Sequence, residues 1–168
     1  MEESARVAVE DCMDVSEDET VLVVTDQKRR GIGRALVESS HEVGATTVYA
    51  EMEADERHGA EPPAPVAEAM RASDVVLAPT TRSLTHTEAR KEACETGARV
   101  GTMPSITRDV MEGAMLADYQ KIARDADELL GVLENVEELR IESDAGTDLT
   151  VEAGTRDWHP DDGICHEA

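Results

Sequence analysis

The sequence predicts an α/β fold: an open, mostly parallel, doubly wound sheet with flanking helices, followed by a β-hairpin that starts a second domain. Three observations predict it. First, short runs such as Thr20–Thr25, TVLVVT, are apolar and β-branched without interruption, as strands buried on both faces are. Second, these runs alternate with segments of helical periodicity, which implies right-handed crossovers between parallel strands. Third, the pattern changes near the end. ELRIE (138–142) and DLTVE (148–152) alternate polar and apolar residues around the turn SDAGT, as a half-buried hairpin does.

The elements follow in order. Ala5, Ala8, Val9, Cys12 and Met13 lie at helical spacing and predict a first helix. TVLVVT is the first strand, ended by Asp26. Ile32, Ala35, Leu36 and Val43 line one face of the next helix, and Gly44 supplies its C-terminal stop. ATTVYA (45–50) is a second strand. The acidic, proline-bearing stretch 51–65, with EPPAP, reads as a loop. A short helix over 66–72 leads to a third strand, DVVLA (74–78), closed by Pro79. Thr85 and Glu88 have capping-box spacing, and Gly97 closes that helix. A fourth strand spans 99–103, and Pro104 is expected to open a helix running to about Met115. The order 2-1-3-4 follows the common doubly wound arrangement. A long helix over 118–136 carries the stripe Tyr119, Ile122, Ala123, Ala126, Leu129, Leu130, Leu133 and Val136. These readings place an α/β domain at 1–135 and the start of a second, truncated domain at 136–168.

Composition narrows the function classes. Asp and Glu number 38 against 16 Lys and Arg, for a formal charge of −22. The acids are spread along the chain, which fits adaptation to high salt, where short screening lengths relieve repulsion. So acidic a surface repels phosphate backbones, so no nucleic-acid partner is expected. No apolar run is long enough to span a bilayer, and no membrane partner is expected. The start, MEESARVAVEDCMDV, lacks a basic-then-apolar layout, so a cytoplasmic location is expected. Three widely spaced cysteines, Cys12, Cys94 and Cys165, form no CxxC pair, which suits reduced thiols.

Three motifs carry chemistry. Gly31-Ile32-Gly33 after a strand suggests a dinucleotide turn, but Leu36 stands at the third glycine position, so a plain strand-to-helix turn is the better account. His86 follows the third strand. Asp26, Thr80, Thr81, Ser83 and Ser105 belong to the same carboxyl edge, where open α/β sheets bind ligands. His86 could bind substrate or move a proton there, or bond locally in its helix's first turn; both remain open. In the tail, Asp157, His159, Asp161, Asp162, Cys165, His166 and Glu167 are ligand types, but their spacing matches no compact metal set.

Several stretches resemble a known family. They are Ser83-Leu84-Thr85-His86, Ala89-Arg90, Gly97-Ala98-Arg99, Met103-Pro104-Ser105-Ile106-Thr107, Ala117-Asp118-Tyr119 and Gly146-Thr147-Asp148-Leu149, with Arg156, Trp158 and Asp161-Asp162-Gly163 near the end. Together they resemble the amino-terminal part of the metal-dependent aminopeptidases typified by aminopeptidases T and S, in their archaeal leucyl aminopeptidase branch. The resemblance implies peptide substrates and two divalent metal ions, zinc, cobalt or similar, held by a carboxy-terminal domain. None of those ligands maps onto this sequence, so no catalytic residue and no metal ligand is assigned. The resemblance therefore implies a truncated or fragmentary chain that is inactive alone. Two alternatives stand beside it: a stand-alone binding or homodimerising module, and a fragment related to the iron-dependent dihydroxypyridine dioxygenases.

Overall fold

The computed structural model describes residues 1–154 and 157–167. The strands are β1 (Thr20–Asp26), β2 (Thr46–Met52), β3 (Val75–Thr80), β4 (Arg99–Pro104), β5 (Glu138–Glu142) and β6 (Asp148–Glu152). The α-helices are α1 (Glu2–Arg6), α2 (Arg30–Val43), α3 (Ala64–Arg71), α4 (Glu88–Glu95), α5 (Arg108–Met111) and α6 (Tyr119–Leu133). The first four strands form a parallel sheet in the order β2-β1-β3-β4. The last two form an antiparallel hairpin. The α/β expectation, the strand order and the hairpin all hold.

The chain divides into two compact units. One comprises Met1–Ala117 and the stretch from Ile164 onward; the other is Asp118–Gly163.

In the first unit the uninterrupted strands are buried on both faces, as their composition requires. Val21, Leu22, Val23 and Val24 are all fully buried, as are Val75, Val76, Leu77 and Ala78. Strand side chains alternate between faces. Leu22, Val24, Val76 and Ala78 therefore share one face and pack with Met70, Leu84, Ala89 and Ala93 from the α3–α4 side. Each fully buried Val or Leu contributes about 1.5–3 kcal/mol of transfer free energy, and this layer holds α3 and α4 on the sheet.

Gly33 sets the approach of α2 to the sheet. A methyl group there would meet Thr25 Cβ at 3.1 Å and the Tyr49 ring at 3.2 Å, whereas one at Gly31 meets nothing within 4 Å. Gly33 thus serves close helix packing in a strand-to-helix turn, and Gly31 faces open space. Arg99 ties the start of β4 to the segment preceding β1. Its Nη1 and Nη2 donate to the two carboxylate oxygens of Glu19 at 2.8 and 2.9 Å, and its Nε donates to Met13 O at 3.1 Å. Both side chains are largely enclosed, 14% and 17% exposed.

Several boundaries differ from expectation. The first helix begins at Glu2 and continues as a π-helical stretch over Val7–Cys12, with Ala5, Ala8, Val9, Cys12 and Met13 all buried. β3 runs through Pro79 to Thr80. Pro79 has no N–H to give, and β3's pairing with β1 stops at Leu77 while its pairing with β4 continues. Thr25 Oγ1 bridges the gap by donating to Pro79 O at 2.9 Å. The cap of α4 is Thr87, which accepts from Arg90 N, and Thr85 does not serve. The Thr85 hydroxyl is instead engaged with Ser83 and Thr102. The expected helix from Pro104 to Met115 is also absent. Pro104 ends β4, Ser105 turns the chain at φ 59°, and Thr107 caps the one-turn α5, followed by a 3-10 turn at Ala114–Leu116.

In the second unit Asp118 caps α6 by accepting from Lys121 N. Leu139 faces Val151, and Ile141 faces Leu149, so the hairpin has one apolar face. Gly146, at φ +100°, makes the turn. The α6 stripe is not a buried stripe: Leu129 is 57% and Ile122 38% exposed.

Candidate ligand cleft at the carboxyl edge of the sheet

The chain runs from β1 to β2 on one side of the sheet and then returns to β3 on the other. The ends of β1 and β3 therefore form a switch point, where α/β sheets open a crevice. Asp26 closes β1 there and is 1% exposed. Its Oδ1 accepts from Lys28 N and from Thr81 Oγ1, both at 2.9 Å, and its Oδ2 accepts from Thr81 N. A buried carboxylate needs such donors, since stripping its hydration is otherwise costly. Asp26 thereby fixes the β3 exit, Thr80 to Ser83, against the end of β1.

A cleft of about 960 Å³ opens at this edge. One wall is the loop after β2, with Glu53, Asp55, Glu56, Arg57 and Glu61; the other is the β3 exit, with Thr80, Arg82, Ser83 and Leu84. His58 pins the two walls together. Its Nδ1 accepts from Ser83 N at 3.2 Å, its Nε2 lies 3.2 Å from Arg82 Nη1, and Gly59 N donates to Ser83 O at 2.9 Å. Arg82 Nε is enclosed and has no hydrogen-bond partner. An enclosed donor of this kind carries the desolvation cost of an unmade hydrogen bond.

Several of the cleft's carboxylates are already committed. Glu61 accepts from Glu88 N and Ala89 N, capping α4 from outside. Glu51 pairs with Arg30, whose guanidinium holds its carboxyl down at about 2, with help from the Tyr49 hydroxyl. Among the described residues no group of three or more His, Cys, Asp or Glu could hold a metal ion. The dinuclear site implied by the aminopeptidase resemblance therefore does not fit these side chains.

The five expected cleft residues fall out unevenly. Asp26 and Ser83 line the cleft, and Thr81 stands directly behind it on Asp26. Ser105 sits at the same edge, its hydroxyl donating to Thr81 O at 3.2 Å, outside the lining. His86 is exposed in the turn before Thr87 and does not line the cleft. The histidine that does bear on the walls is His58. It lies in the loop between β2 and α3, where no periodicity marks it. The tail acids and histidines converge on no site among the described residues. Cys165 and His166 instead meet the end of the first helical segment.

Fold and cleft define the class: a doubly wound α/β unit with a polar crevice at its switch point. The chain belongs to the family described as NicX, 2,5-dihydroxypyridine 5,6-dioxygenase, whose model matches residues 3–168. No curated protein matches it. Two solved structures share the fold. The 2,5-dihydroxypyridine dioxygenase from Pseudomonas putida KT2440 is 20% identical, with a TM-score of 0.65. AmpT from Thermus thermophilus is 18% identical, with a TM-score of 0.60. Each match covers 90% of this chain, but only 46% and 52% of those chains, so the chain spans about half the length of the solved proteins it resembles. The family shown is thus the dioxygenase family, with the aminopeptidase likeness resting on the shared fold.

Proposed function

We propose that this chain is the substrate-cleft unit of a metal-dependent enzyme, with removal of amino-terminal residues from peptides as the reaction it serves. The observation that carries the reading is the polarity of the cleft. The carboxylates of Glu53 and Glu56 stand on one wall, and Arg82, with its unpartnered Nε, stands on the other. A peptide amino terminus carries an ammonium and a carbonyl oxygen a few bonds apart, which suits such walls: the acids attract the cation and the guanidinium donates to the oxygen. The metal chemistry, water activation at a divalent ion, is supplied by polypeptide other than these described residues.

A second reading is favoured by the family match over residues 3–168 and by the dioxygenase neighbour. In it the same cleft receives a hydroxylated pyridine, whose ring oxygens meet Arg82. Calorimetric titration of the chain with leucinamide and, separately, with 2,5-dihydroxypyridine distinguishes them. Binding of leucinamide alone is expected. Binding of the pyridine alone assigns the cleft to the second reading, and binding of neither overturns both. The chain supplied with zinc, cobalt or ferrous iron is expected to turn over neither leucyl substrates nor the pyridine; turnover of either contradicts the assignment of the metal site elsewhere.

A further inference from the structure

The chain's return to its first unit brings two cysteines together. Cys165 N donates to Cys12 O at 2.7 Å, and His166 Nε2 lies 3.0 Å from Asp11 O. That hydrogen bond and the fixed backbone bond lengths confine the two Cα atoms to within about 6.6 Å of each other. Disulfide bridges span Cα separations of about 4.4–6.8 Å, so the pair lies within the upper limit on that separation. Both residues are thiols here. Cys12 is 7% exposed at the end of the π-helical stretch, while Cys165 is partly open to solvent. Arg99 donates to Met13 O and Asp14 O, and so holds the backbone just past Cys12 in place.

We propose that Cys12 and Cys165 form a reversible disulfide that locks the returning tail onto the first helical segment. The oxidant is a low-molecular-weight disulfide. The Cys165 thiolate attacks one of its sulfurs, forming a mixed disulfide and releasing one thiolate. The Cys12 thiolate then attacks Cys165 Sγ, forming the protein disulfide and releasing the second thiolate. The two cysteines lose two electrons and two protons, and the oxidant takes them up as two thiols. Exposure sets this order, because the reagent reaches Cys165 before the buried Cys12.

The bridge closes a loop that contains the whole of the Asp118–Gly163 unit, so both ends of that unit become anchored to the first. The test is to equilibrate the dilute chain with oxidised glutathione, alkylate the remaining thiols and map tryptic peptides. The peptides 7–28, 92–99 and 157–168 each carry one cysteine. The expected product joins 7–28 to 157–168 within one chain, leaves only Cys94 alkylated, persists in Cys94→Ala, and is lost in Cys165→Ser. The oxidised chain also melts higher, and dithiothreitol reverses the gain. A link through Cys94, a glutathione adduct that stops at Cys165, a link between two chains, or three alkylated thiols would each overturn the proposal.

Discussion

Replacing Asp26 with Asn keeps the shape of the side chain and changes its hydrogen bonding in a way the structure makes explicit. Asp26 accepts three hydrogen bonds, from Lys28 N, Thr81 Oγ1 and Thr81 N. An amide has one acceptor atom. With its oxygen toward Lys28 and Thr81 Oγ1, its NH2 opposes Thr81 N–H; flipped, it opposes Lys28 N–H. Either way one part-buried donor loses its acceptor, which costs about 1–3 kcal/mol, and the remaining bonds lose their charge assistance. Relief of burying a carboxylate offsets part of this. The net expectation is a loss of about 3 kcal/mol, or a fall in Tm of about 6–12 °C for a chain of this size. Thr81→Ala removes only the hydroxyl bond and should cost about 1 kcal/mol. Urea unfolding followed by circular dichroism, in buffered potassium chloride, measures both. Amide hydrogen exchange adds a local readout, because Thr81 N–H should lose protection in Asp26→Asn beyond the global loss. An Asp26→Asn chain within about 0.5 kcal/mol of the original, with the Thr81 amide equally protected, would refute the reasoning.

Three further predictions test other parts of the account. Gly33→Ala drives a methyl into Thr25 and Tyr49, and should destabilise by about 1–3 kcal/mol; Gly31→Ala meets open space in a helix and should be neutral or stabilising by up to about 1 kcal/mol, so equal effects in urea unfolding would contradict the packing argument. Glu19 has its carboxyl lowered by the hydrogen bonds of Arg99, with burial opposing. A lowered folded value means that this stabilisation is present above the ordinary value of 4.5 and disappears as pH falls through the folded one, so the gap between the original chain and Glu19→Gln should be level near neutrality and close in acid. A widening gap in acid would reverse the sign and sink it. Finally, a charge of −22 predicts that Tm rises with potassium chloride as screening shortens to a few Å; a flat response from low to molar salt would remove electrostatic relief as the reason for the composition.

The sheet was legible because its strands announce themselves. TVLVVT and DVVLA are too apolar to face water on either side, and the fully buried Val21–Val24 and Val75–Ala78 follow from that. What sequence could not rank were competing local bonds. Thr85 and Thr87 are equally good caps on paper; the Thr102 hydroxyl across the β4 edge engages Thr85 and leaves the cap to Thr87. Pro104 is an ordinary helix opener, but its place at the end of β4 and the positive φ of Ser105 prevent it from acting as one. The cleft was half legible. Asp26, Thr81 and Ser83 follow from strand ends, which periodicity reveals. His58 lies 25 residues from its partner Ser83, in a stretch without periodicity, and only tertiary pairing of Gly59 with Ser83 brings it to the edge. His86 stood out in the sequence by its neighbours, yet the turn at Thr85-His86 presents it to solvent.

The central claim is that the switch-point crevice between the β2–α3 loop and the β3 exit is a ligand site for a peptide amino terminus. Its most direct test is a titration of the isotopically labelled chain with leucinamide, followed by backbone amide chemical shifts. Saturable shifts concentrated at Glu53–Arg57 and Thr80–Ser83 are expected, abolished in Arg82→Ala, with the amides of α6 unmoved. Shifts spread evenly along the acidic surface, or unchanged by Arg82→Ala, would contradict it.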